Sequence, residues 1–453
     1  MKKSLRLFTI FSLFAALILC SACEKVNPNF QEEASDPAFL HETMKKMTDI
    51  MVYDIFSPPV ASRNYVYPAI AAYEAMVHTE DNYQTLAGQL HELEALPQPN
   101  PEEEYCYPLA SFQAATIVGK ALIFSEDRME AFRAEKLAGF QEIGMPKKVY
   151  DRSMAFGQSI ADHILSYADG DNYKQTRTFP KYSLSNDITK WTPTPPDYMD
   201  AIEPSWNEIR TFVLDSANQY VPLPPTEFDM DKNSRWYKEV IEVYDVVKNA
   251  TEEESEIASF WDCNPYVSHH KGHVMFATKK ITPGGHWVGI SRIACEKTDA
   301  SMMRSAEVYA MVTIALADAF ISCWDEKYRS KLLRPETFIN QYIDEDWVPL
   351  LQTPPFPEHT SGHSVISSAA GETLTYLFGD NFAYTDDVEV EYGLPERSFG
   401  SFREAYAEAA VSRLYGGIHY MPAIEYGVEQ GKNVGAFILE NIQLSMDKSM
   451  SSK

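Results

Sequence analysis

Cysteine is scarce in this sequence, and the few copies are far apart. Six cysteines occur in 453 residues, and those that follow Cys23 are Cys106, Cys263, Cys295 and Cys323. No two of these four are spaced as a CxxC pair, the usual signature of structural zinc, so the spacing argues against such a site. In an exported protein they have the chemistry for one or two disulfides, and the spacing favours no particular pairing.

An excess of positive charge is also missing. The chain has 39 Lys and Arg against 65 Asp and Glu, and its formal net charge is −26. A protein this acidic is a poor partner for nucleic acid, whose phosphates repel it. An anion-binding site in such a chain requires a local cluster of basic side chains, which makes any cluster of that kind informative.

Hydrophobic runs long enough to span a membrane are absent, and the longest apolar run lies at the amino terminus. A basic leader, Met1 to Arg6, precedes the apolar run Leu7 to Leu19 and then Cys20-Ser21-Ala22-Cys23. This layout predicts an export signal over residues 1–23 and is typical of a bacterial lipoprotein with Cys23 as the lipidated residue. An uncleaved anchor or a plain secreted protein is the alternative.

The localisation expected from this leader is a membrane-anchored protein in the periplasm or at the cell surface. A polar tether is predicted over residues 24–36. Because no later stretch reaches the length of a transmembrane helix, the lipid is expected to be the protein's only contact with a membrane.

Alternating strand patterns are scarce, and apolar residues recur at helical spacing along most of the chain. Helices are predicted over 37–56, 66–78, 111–124, 147–167, 302–329, 361–378, 402–415 and 423–444. Proline-rich stretches at 96–101 and 179–204 predict loops. We therefore expect a mainly α fold of helical bundles with Pro-rich loops. An N-terminal helical region would occupy residues 37–230 and a C-terminal helical core residues 231–445.

Two cations lie seven residues apart near the end of the longest predicted helix. Seven steps of about 100° return to nearly the same face, so Lys327 and Arg334 can point at one place if the helix continues to Pro335. Lys supplies a point charge and Arg a planar fork of donors. Alone, the pair is equally consistent with a basic helix end stabilised by the dipole.

A proline-rich loop then runs into a second helix at Ser361-Gly362-His363. Ser caps a helix well, the first backbone N–H groups of a helix are unpaired, and the dipole there favours an anion. Gly362 lets an anion approach the backbone, and His363 can exchange a proton near neutral pH. Alone, this stretch also fits a capped helix with an incidental histidine.

The third stretch contains Arg413 and His419, six residues apart and separated by Gly416-Gly417. A continuous helix would place the two side chains on different faces. The glycines allow the helix to end and the chain to turn, which can bring His419 back toward Arg413. A glycine C-cap with a structural histidine is the alternative.

Together and in this order, Lys-x6-Arg-Pro, Ser-Gly-His and Ser-Arg-x5-His resemble the signature of the type 2 phosphatidic acid phosphatase and vanadium-dependent haloperoxidase superfamily. The three motifs span residues 327–419, and the chain from 234 to 444 fits the helical core of that superfamily. The resemblance implies an enzyme that binds a tetrahedral oxyanion. The residues it implies for that binding are Lys327, Arg334, Ser361, Gly362 and Arg413.

The resemblance also implies different roles for two histidines. His419 would be the axial group, bonded to vanadium in a haloperoxidase or attacking phosphorus in a phosphatase. His363 would be the acid/base opposite it, and Lys327 completes the implied catalytic set. The superfamily often has an Asp four residues after the axial histidine, where this chain has Ala423. Glu425 or a backbone carbonyl is the expected substitute.

Several features favour peroxidase over phosphatase. The chain lacks the several transmembrane spans of the lipid phosphatases, and Trp324 and Phe356 resemble residues of the haloperoxidase substrate pocket. His359 is a further candidate near the halide, or it braces the loop. The leading hypothesis is an enzyme that holds vanadate and uses hydrogen peroxide to oxidise a halide or organic small molecule. The alternatives are an acid phosphatase without a cofactor, and a phosphate-binding lipoprotein without turnover.

A histidine-rich run suggests a metal site at first sight. His269, His270 and His273 lie close together, and His286 follows. Because no carboxylate or cysteine has a convincing ligand spacing to them, a polar loop over the pocket is the favoured interpretation.

Overall fold

The computed structural model describes residues 26–271 and 274–445, and the side chains of 269–277 are outside the description. The predicted signal and the lipidated Cys23 therefore lie outside the described residues and remain predictions. Within the described ranges the fold is mainly α, as the sequence predicts. The four later cysteines are all free and buried.

The N-terminal half is built from helices connected by long loops. They are α1 (Phe30–Ala34), α2 (Ala38–Asp54), α3 (Pro58–Met76), α4 (Tyr107–Ala121), α5 (Glu126–Glu142), α6 (Lys147–Asp169) and α7 (Tyr173–Thr176), with single 3-10 turns at Val77–Thr79 and Trp206–Glu208. The sequence misses α5 because that helix lies on the surface and buries only Met129 and Phe140, which leaves no apolar stripe to detect.

The C-terminal half holds a second set of helices and two short antiparallel hairpins. The helices are α8 (Arg235–Lys248), α9 (Glu252–Phe260), α10 (Pro283–Lys297), α11 (Met302–Ser330), α12 (Pro335–Tyr342), α13 (Gly362–Phe378), α14 (Phe402–Tyr415) and α15 (Met421–Asn441). The hairpins pair β1 (Ser268–Lys271) with β2 (Val274–Ala277), and β3 (Tyr384–Asp386) with β4 (Arg397–Phe399), with a 3-10 turn at Val390–Tyr392 between β3 and β4.

Helix α11 is the centre of the molecule. It contacts α3 of the N-terminal half and α10 and α13 of the C-terminal half, and one apolar cluster runs from Leu40 to Leu444 through it. Among the described residues, α11 is the one helix long and apolar enough to cross a membrane, but that apolar window is entirely buried by the rest of the protein. The two predicted helical regions thus share a core.

The segment predicted as a tether is partly packed against the protein. Phe30 and Ala34 of α1 are buried in a small apolar cluster that includes Phe112 and Phe140. The backbone N–H of Asn27 donates to the carbonyl of Gly144 at 2.8 Å. The stretch is polar overall, and this composition favours a tether. Its two apolar residues lie one helical turn apart, which is enough to pack the segment against the protein.

Helices α13 and α15 approach each other more closely than ordinary side chains permit. A Cβ added to Gly431 would lie 2.1 Å from the carbonyl oxygen of Val365. At the start of the same interface, the N–H of Ser361 donates to the carbonyl of Ala423 at 2.9 Å. Because α13 begins at Gly362 and α15 follows His419 directly, this contact sets the distance between the second and third motifs.

We predict that Gly431→Ala destabilises the protein by about 1–3 kcal/mol, because the added methyl group meets the backbone of α13 and forces the helices apart. The matched control is Gly139→Ala in α5, where an added Cβ meets nothing within 4 Å. Removing a glycine from that half-buried helix interior should be stabilising by roughly 0.5–1 kcal/mol. Chemical denaturation measures both, and equal effects of the two substitutions would contradict the close-contact argument.

Candidate oxyanion site

The three sequence motifs meet at one end of α11, around a small cavity. The cavity lies between the start of α13, the end of α14 and the start of α15. Among the residues proposed from the sequence, those that line it are Trp324, Phe356, Gly362, His363, Arg413 and His419. Lys327, Arg334 and Ser361 lie directly behind this lining.

Lys327 is fully buried in the last turn of α11. Its ammonium donates to the carbonyls of Pro357 at 3.0 Å, Glu358 at 3.1 Å and Thr360 at 2.5 Å. Burial lowers its pKa to about 8, with a smaller contribution in the same direction from Arg334. Lys327 thus supplies positive charge behind the cavity wall and fixes the loop before α13, rather than pointing its donors into the cavity.

Arg334 reaches the site by a different route from the one the helical spacing suggested. Helix α11 ends at Ser330, Lys331 takes a left-handed conformation with φ of 54°, and Arg334 is the N-cap residue of α12. The two cations nevertheless converge, because the Lys327 nitrogen and the Arg334 guanidinium carbon each lie 5.1 Å from the ring centre of Phe356. The seven-residue spacing therefore identified the pair but not the backbone path.

The Arg334 guanidinium is held by carbonyls and by one histidine. Nε donates to the carbonyl of Phe356 at 2.9 Å, and Nη1 contacts the carbonyl of Ile418 at 2.8 Å and Nε2 of His419 at 3.0 Å. Nη2 is buried and has no hydrogen-bond partner within the described part of the chain. Burial lowers the pKa of Arg334 to about 10. An arginine of that pKa still carries its charge at neutral pH.

Arg413 enters from the last turn of α14 and is also buried. Its Nη2 donates to the carbonyls of Trp261 at 2.8 Å and Ala258 at 3.3 Å, and Nε donates to the hydroxyl of Ser412 at 3.0 Å. Burial lowers its pKa as well. The segment after α9, which sequence reasoning did not connect with the site, therefore orients the third cation.

The start of α13 adds donors without adding charge. The Ser361 hydroxyl caps the helix by accepting from the N–H of Ser364 at 3.3 Å. In the described ranges, no acceptor contacts the N–H groups of Gly362 and His363. Because unpaired N–H groups and the helix dipole both favour negative charge, this helix end suits an anion.

His419 is fixed by a carboxylate that the sequence did not single out. Glu358 is fully buried. Its Oε1 lies 2.8 Å from Nδ1 of His419 and also accepts from the N–H of Tyr420 at 2.9 Å. Glu425, the expected substitute, is exposed. Expecting the partner just after His419 was wrong because the carboxylate arrives from the loop before α13.

These contacts determine the state of the His419 ring. Glu358 accepts a proton on Nδ1, so Nε2 keeps its lone pair and accepts from Arg334. Burial, followed by the charges of Arg334 and Lys327, lowers the pKa of His419 well below its ordinary value. The result is a neutral imidazole with a nucleophilic nitrogen at the cavity.

His363 is held in an analogous way by a backbone carbonyl. Its ring makes a hydrogen bond to the carbonyl of Trp261, and Nε2 has no partner in the described part of the chain, so Nδ1 is the atom that makes this bond. Burial, and then the positive charge of Arg413, lowers its pKa well below the ordinary value. Nε2 of His363 is therefore a free proton acceptor beside Arg413.

Aromatic rings form one wall of the cavity. The rings of Trp324 and Phe356 have centres 5.0 Å apart, and the Trp324 N–H donates to the carbonyl of Ile202 at 3.2 Å. His359 is buried away from the cavity lining, with Nε2 3.0 Å from the carbonyl of Leu223. Of the two roles considered for His359, the structure places it in the one that braces the loop.

The site carries more positive than negative buried charge. Lys327, Arg334 and Arg413 are each at most 1% exposed, and none of them forms an ion pair with a carboxylate among the described residues. Glu358 contacts His419, whereas the nearby buried carboxylates Glu326 and Asp262 are paired with Arg329 and Lys280. Burying cations without counter-charges is costly. Together with the unpaired nitrogens of Arg334 and His363, the surplus fits a bound tetrahedral oxyanion such as vanadate.

Comparisons with known proteins agree with this chemistry. The family model for the VCPO second helical-bundle domain matches residues 307–448. A search of curated protein sequences finds no match. Two solved structures, the holo and apo forms of a bacterial vanadium-dependent chloroperoxidase, share the fold at 15% identity, with TM-scores of 0.65 and 0.63. They cover 87% and 88% of this chain and 92% and 98% of their own.

A third solved structure is much more similar in sequence. It is described as the first bacterial vanadium-dependent iodoperoxidase, and it is 51% identical to this chain with a TM-score of 0.86. The match covers 91% of this chain and 98% of that one. With this degree of identity over nearly its whole length, the chain belongs to the vanadium-dependent haloperoxidase family, in the superfamily that includes the type 2 phosphatidic acid phosphatases.

Proposed function

We propose that this protein is a vanadium haloperoxidase that oxidises iodide in preference to bromide and chloride. The observation that supports the catalytic part most directly is the surplus of buried positive charge around the unprotonated Nε2 of His419. A phosphatase would need the same surplus. The 51% identity to an iodoperoxidase, over nearly the whole chain, supports the peroxidase and the choice of halide.

Different residues of this chain serve oxyanion binding and proton transfer. Lys327, Arg334 and Arg413 attract the oxyanion, and the N–H groups of α13 add hydrogen bonds to it. Glu358 binds the Nδ1 side of the His419 ring and so leaves the lone pair on Nε2. Vanadate, when bound, activates hydrogen peroxide toward halide. His363 takes the peroxide proton, because its Nε2 is unprotonated and unpaired.

The lining of the cavity supports iodide as the halide. Phe320, Trp324 and Phe356 line it beside the cationic site. A large, polarisable and weakly hydrated anion loses little on leaving water for an aromatic wall, whereas chloride loses more. Iodide is also the easiest of the three halides to oxidise.

The direct test is a comparison of kcat/KM for iodide, bromide and chloride in vanadate-loaded protein with hydrogen peroxide. We expect the highest value for iodide, and His419→Ala should lower turnover by roughly 10²–10⁴-fold with the fold intact by circular dichroism. Rapid hydrolysis of an aryl phosphate without halide oxidation would instead identify a phosphatase. Phosphate binding without either activity would identify a binding protein.

Glu358→Gln should weaken vanadate binding by about 10–100-fold, the usual effect of removing the carboxylate behind a metal-bound histidine. The amide keeps the volume but no longer holds the Nδ1 proton by charge. Glu425→Gln on the exposed face of α15 is the matched control and should bind vanadate normally. Affinity is measured by titrating vanadate-free protein and following recovery of activity. Equal affinities for the two variants would remove Glu358 from this role.

Oxyanion affinity should fall as pH rises above about 8. Burial lowers the Lys327 pKa to about 8, so this lysine is charged below that pH and neutral above it. The groups facing it are Cys323, Glu326, Arg334 and Glu358. Isothermal titration with molybdate, whose own charge is constant in this range, should show a loss of at least about tenfold. In Lys327→Met the slope should vanish, and a flat wild-type profile would contradict the assignment.

A further inference from the structure

A second group of chemically reactive side chains lies behind the oxyanion site. Cys263 follows α9, His286 is in the first turn of α10, and Asp386 and Glu389 come from the end of β3 and the turn after it. All four are at most 4% exposed. Their burial rules out an ordinary solvated cluster, so their arrangement requires an explanation.

The three contacts among Cys263, His286 and Glu389 are all 3.4 Å or longer. Nδ1 of His286 lies 3.4 Å from Oε1 of Glu389 and 3.5 Å from Sγ of Cys263, and the sulfur lies 3.8 Å from the same carboxylate oxygen. A normal N–H to O hydrogen bond is about 2.7–3.2 Å. Nδ1 is therefore beyond that range from Glu389, and its 3.5 Å separation from the Cys263 sulfur corresponds to a weak sulfur hydrogen bond.

The same distances suit the edges of a coordination tetrahedron. Zinc lies about 2.3 Å from a thiolate sulfur and about 2.0–2.2 Å from imidazole nitrogen and carboxylate oxygen. At tetrahedral angles, these bond lengths separate the donor atoms by about 3.3–3.6 Å. The observed triangle of 3.4, 3.5 and 3.8 Å needs only a small contraction to enclose such an ion.

Asp386 supplies the support that a metal-binding histidine usually has. Its Oδ2 lies 2.9 Å from Nε2 of His286, which leaves Nδ1 as the atom facing Cys263 and Glu389. A carboxylate on the far nitrogen fixes the tautomer and orientation of a histidine ligand. Two buried carboxylates around one imidazole also leave negative charge for a cation to balance.

We propose that Cys263, His286 and Glu389 form a binding site for a divalent cation of borderline softness, Zn²⁺ in the first instance, with Asp386 orienting the histidine. One thiolate, one imidazole and one carboxylate are a zinc-type donor set, and a water completes four-coordination. Binding converts the Cys263 thiol to a thiolate, and its proton is released to solvent.

The metal would stabilise the segment that orients Arg413. The Trp261 ring stacks on His286 with centres 4.6 Å apart, and the Trp261 carbonyl accepts from Arg413. Cys263 itself lines the oxyanion cavity. A cation bound here joins the turn after α9 to α10 and to the β3–β4 hairpin, immediately behind one of the three site cations.

The test is cobalt and zinc titration of purified, chelator-treated protein in the absence of vanadate and peroxide. We expect one Zn²⁺ per chain by elemental analysis, and with Co²⁺ a thiolate-to-metal charge-transfer band in the near ultraviolet. Cys263→Ser should lose the band, whereas Cys106→Ser, a buried cysteine in a different apolar cluster, should retain it. Asp386→Asn should weaken binding by about 10–100-fold.

Several outcomes would overturn the site. One is the absence of stoichiometric metal binding by folded wild-type protein, and another is a charge-transfer band that survives in Cys263→Ser. The third is cobalt binding without a charge-transfer band, which would indicate binding at the histidine run 269–273. If Cys263→Ser does not fold, Glu389→Gln replaces it and should lower cobalt affinity at least about tenfold. Because no measurement uses vanadate or halide, failure here is distinguishable from failure of the proposed function.

Discussion

The site depends on burying three cations without giving them an equal number of carboxylates. Backbone carbonyls make this possible. Lys327 is bound by three of them, and Arg334 and Arg413 by two each. A carbonyl satisfies a donor without cancelling its charge, so the hydrogen bonds are made while the positive potential is kept for an anion. Side-chain carboxylates in the same positions would have stabilised the empty site and removed its affinity.

Most of those carbonyls belong to one loop, residues 354–361. It presents the carbonyls of 356, 357, 358 and 360 to two cations, and its Glu358 side chain holds His419. The glycine contact between α13 and α15 then fixes this loop relative to His419. A single proline-rich segment thus sets the positions of two cations and His419, which explains why the three motifs, far apart in sequence, lie together at one site.

The sequence predicted several of the long helices and the motif residues that meet at the cavity, because both depend on local spacing or on a resemblance. It did not predict α8 or α10. It failed where a contact joins distant segments. The Glu358–His419 pair is separated by 61 positions, and His286 lies 23 positions from Cys263, which lies 126 from Glu389. Ligand spacing along the sequence therefore does not identify His286 as a candidate ligand, because its partners Cys263 and Glu389 come from two other elements. Arg334 was identified for the right reason, convergence with Lys327, but on the wrong backbone path.

Phe356 belongs to the aromatic wall of the cavity and also faces two of the site cations, and this affects how halide preference is interpreted. Its ring forms part of the aromatic wall with Trp324, and both Lys327 and Arg334 lie 5.1 Å from its centre. The ring face attracts both cations. A different side chain here would change the size and polarity of the halide wall and, at the same time, the placement of two charges that hold the oxyanion. Halide choice and oxyanion affinity are therefore coupled through one residue, so a substitution at 356 cannot be interpreted as a change of pocket shape alone.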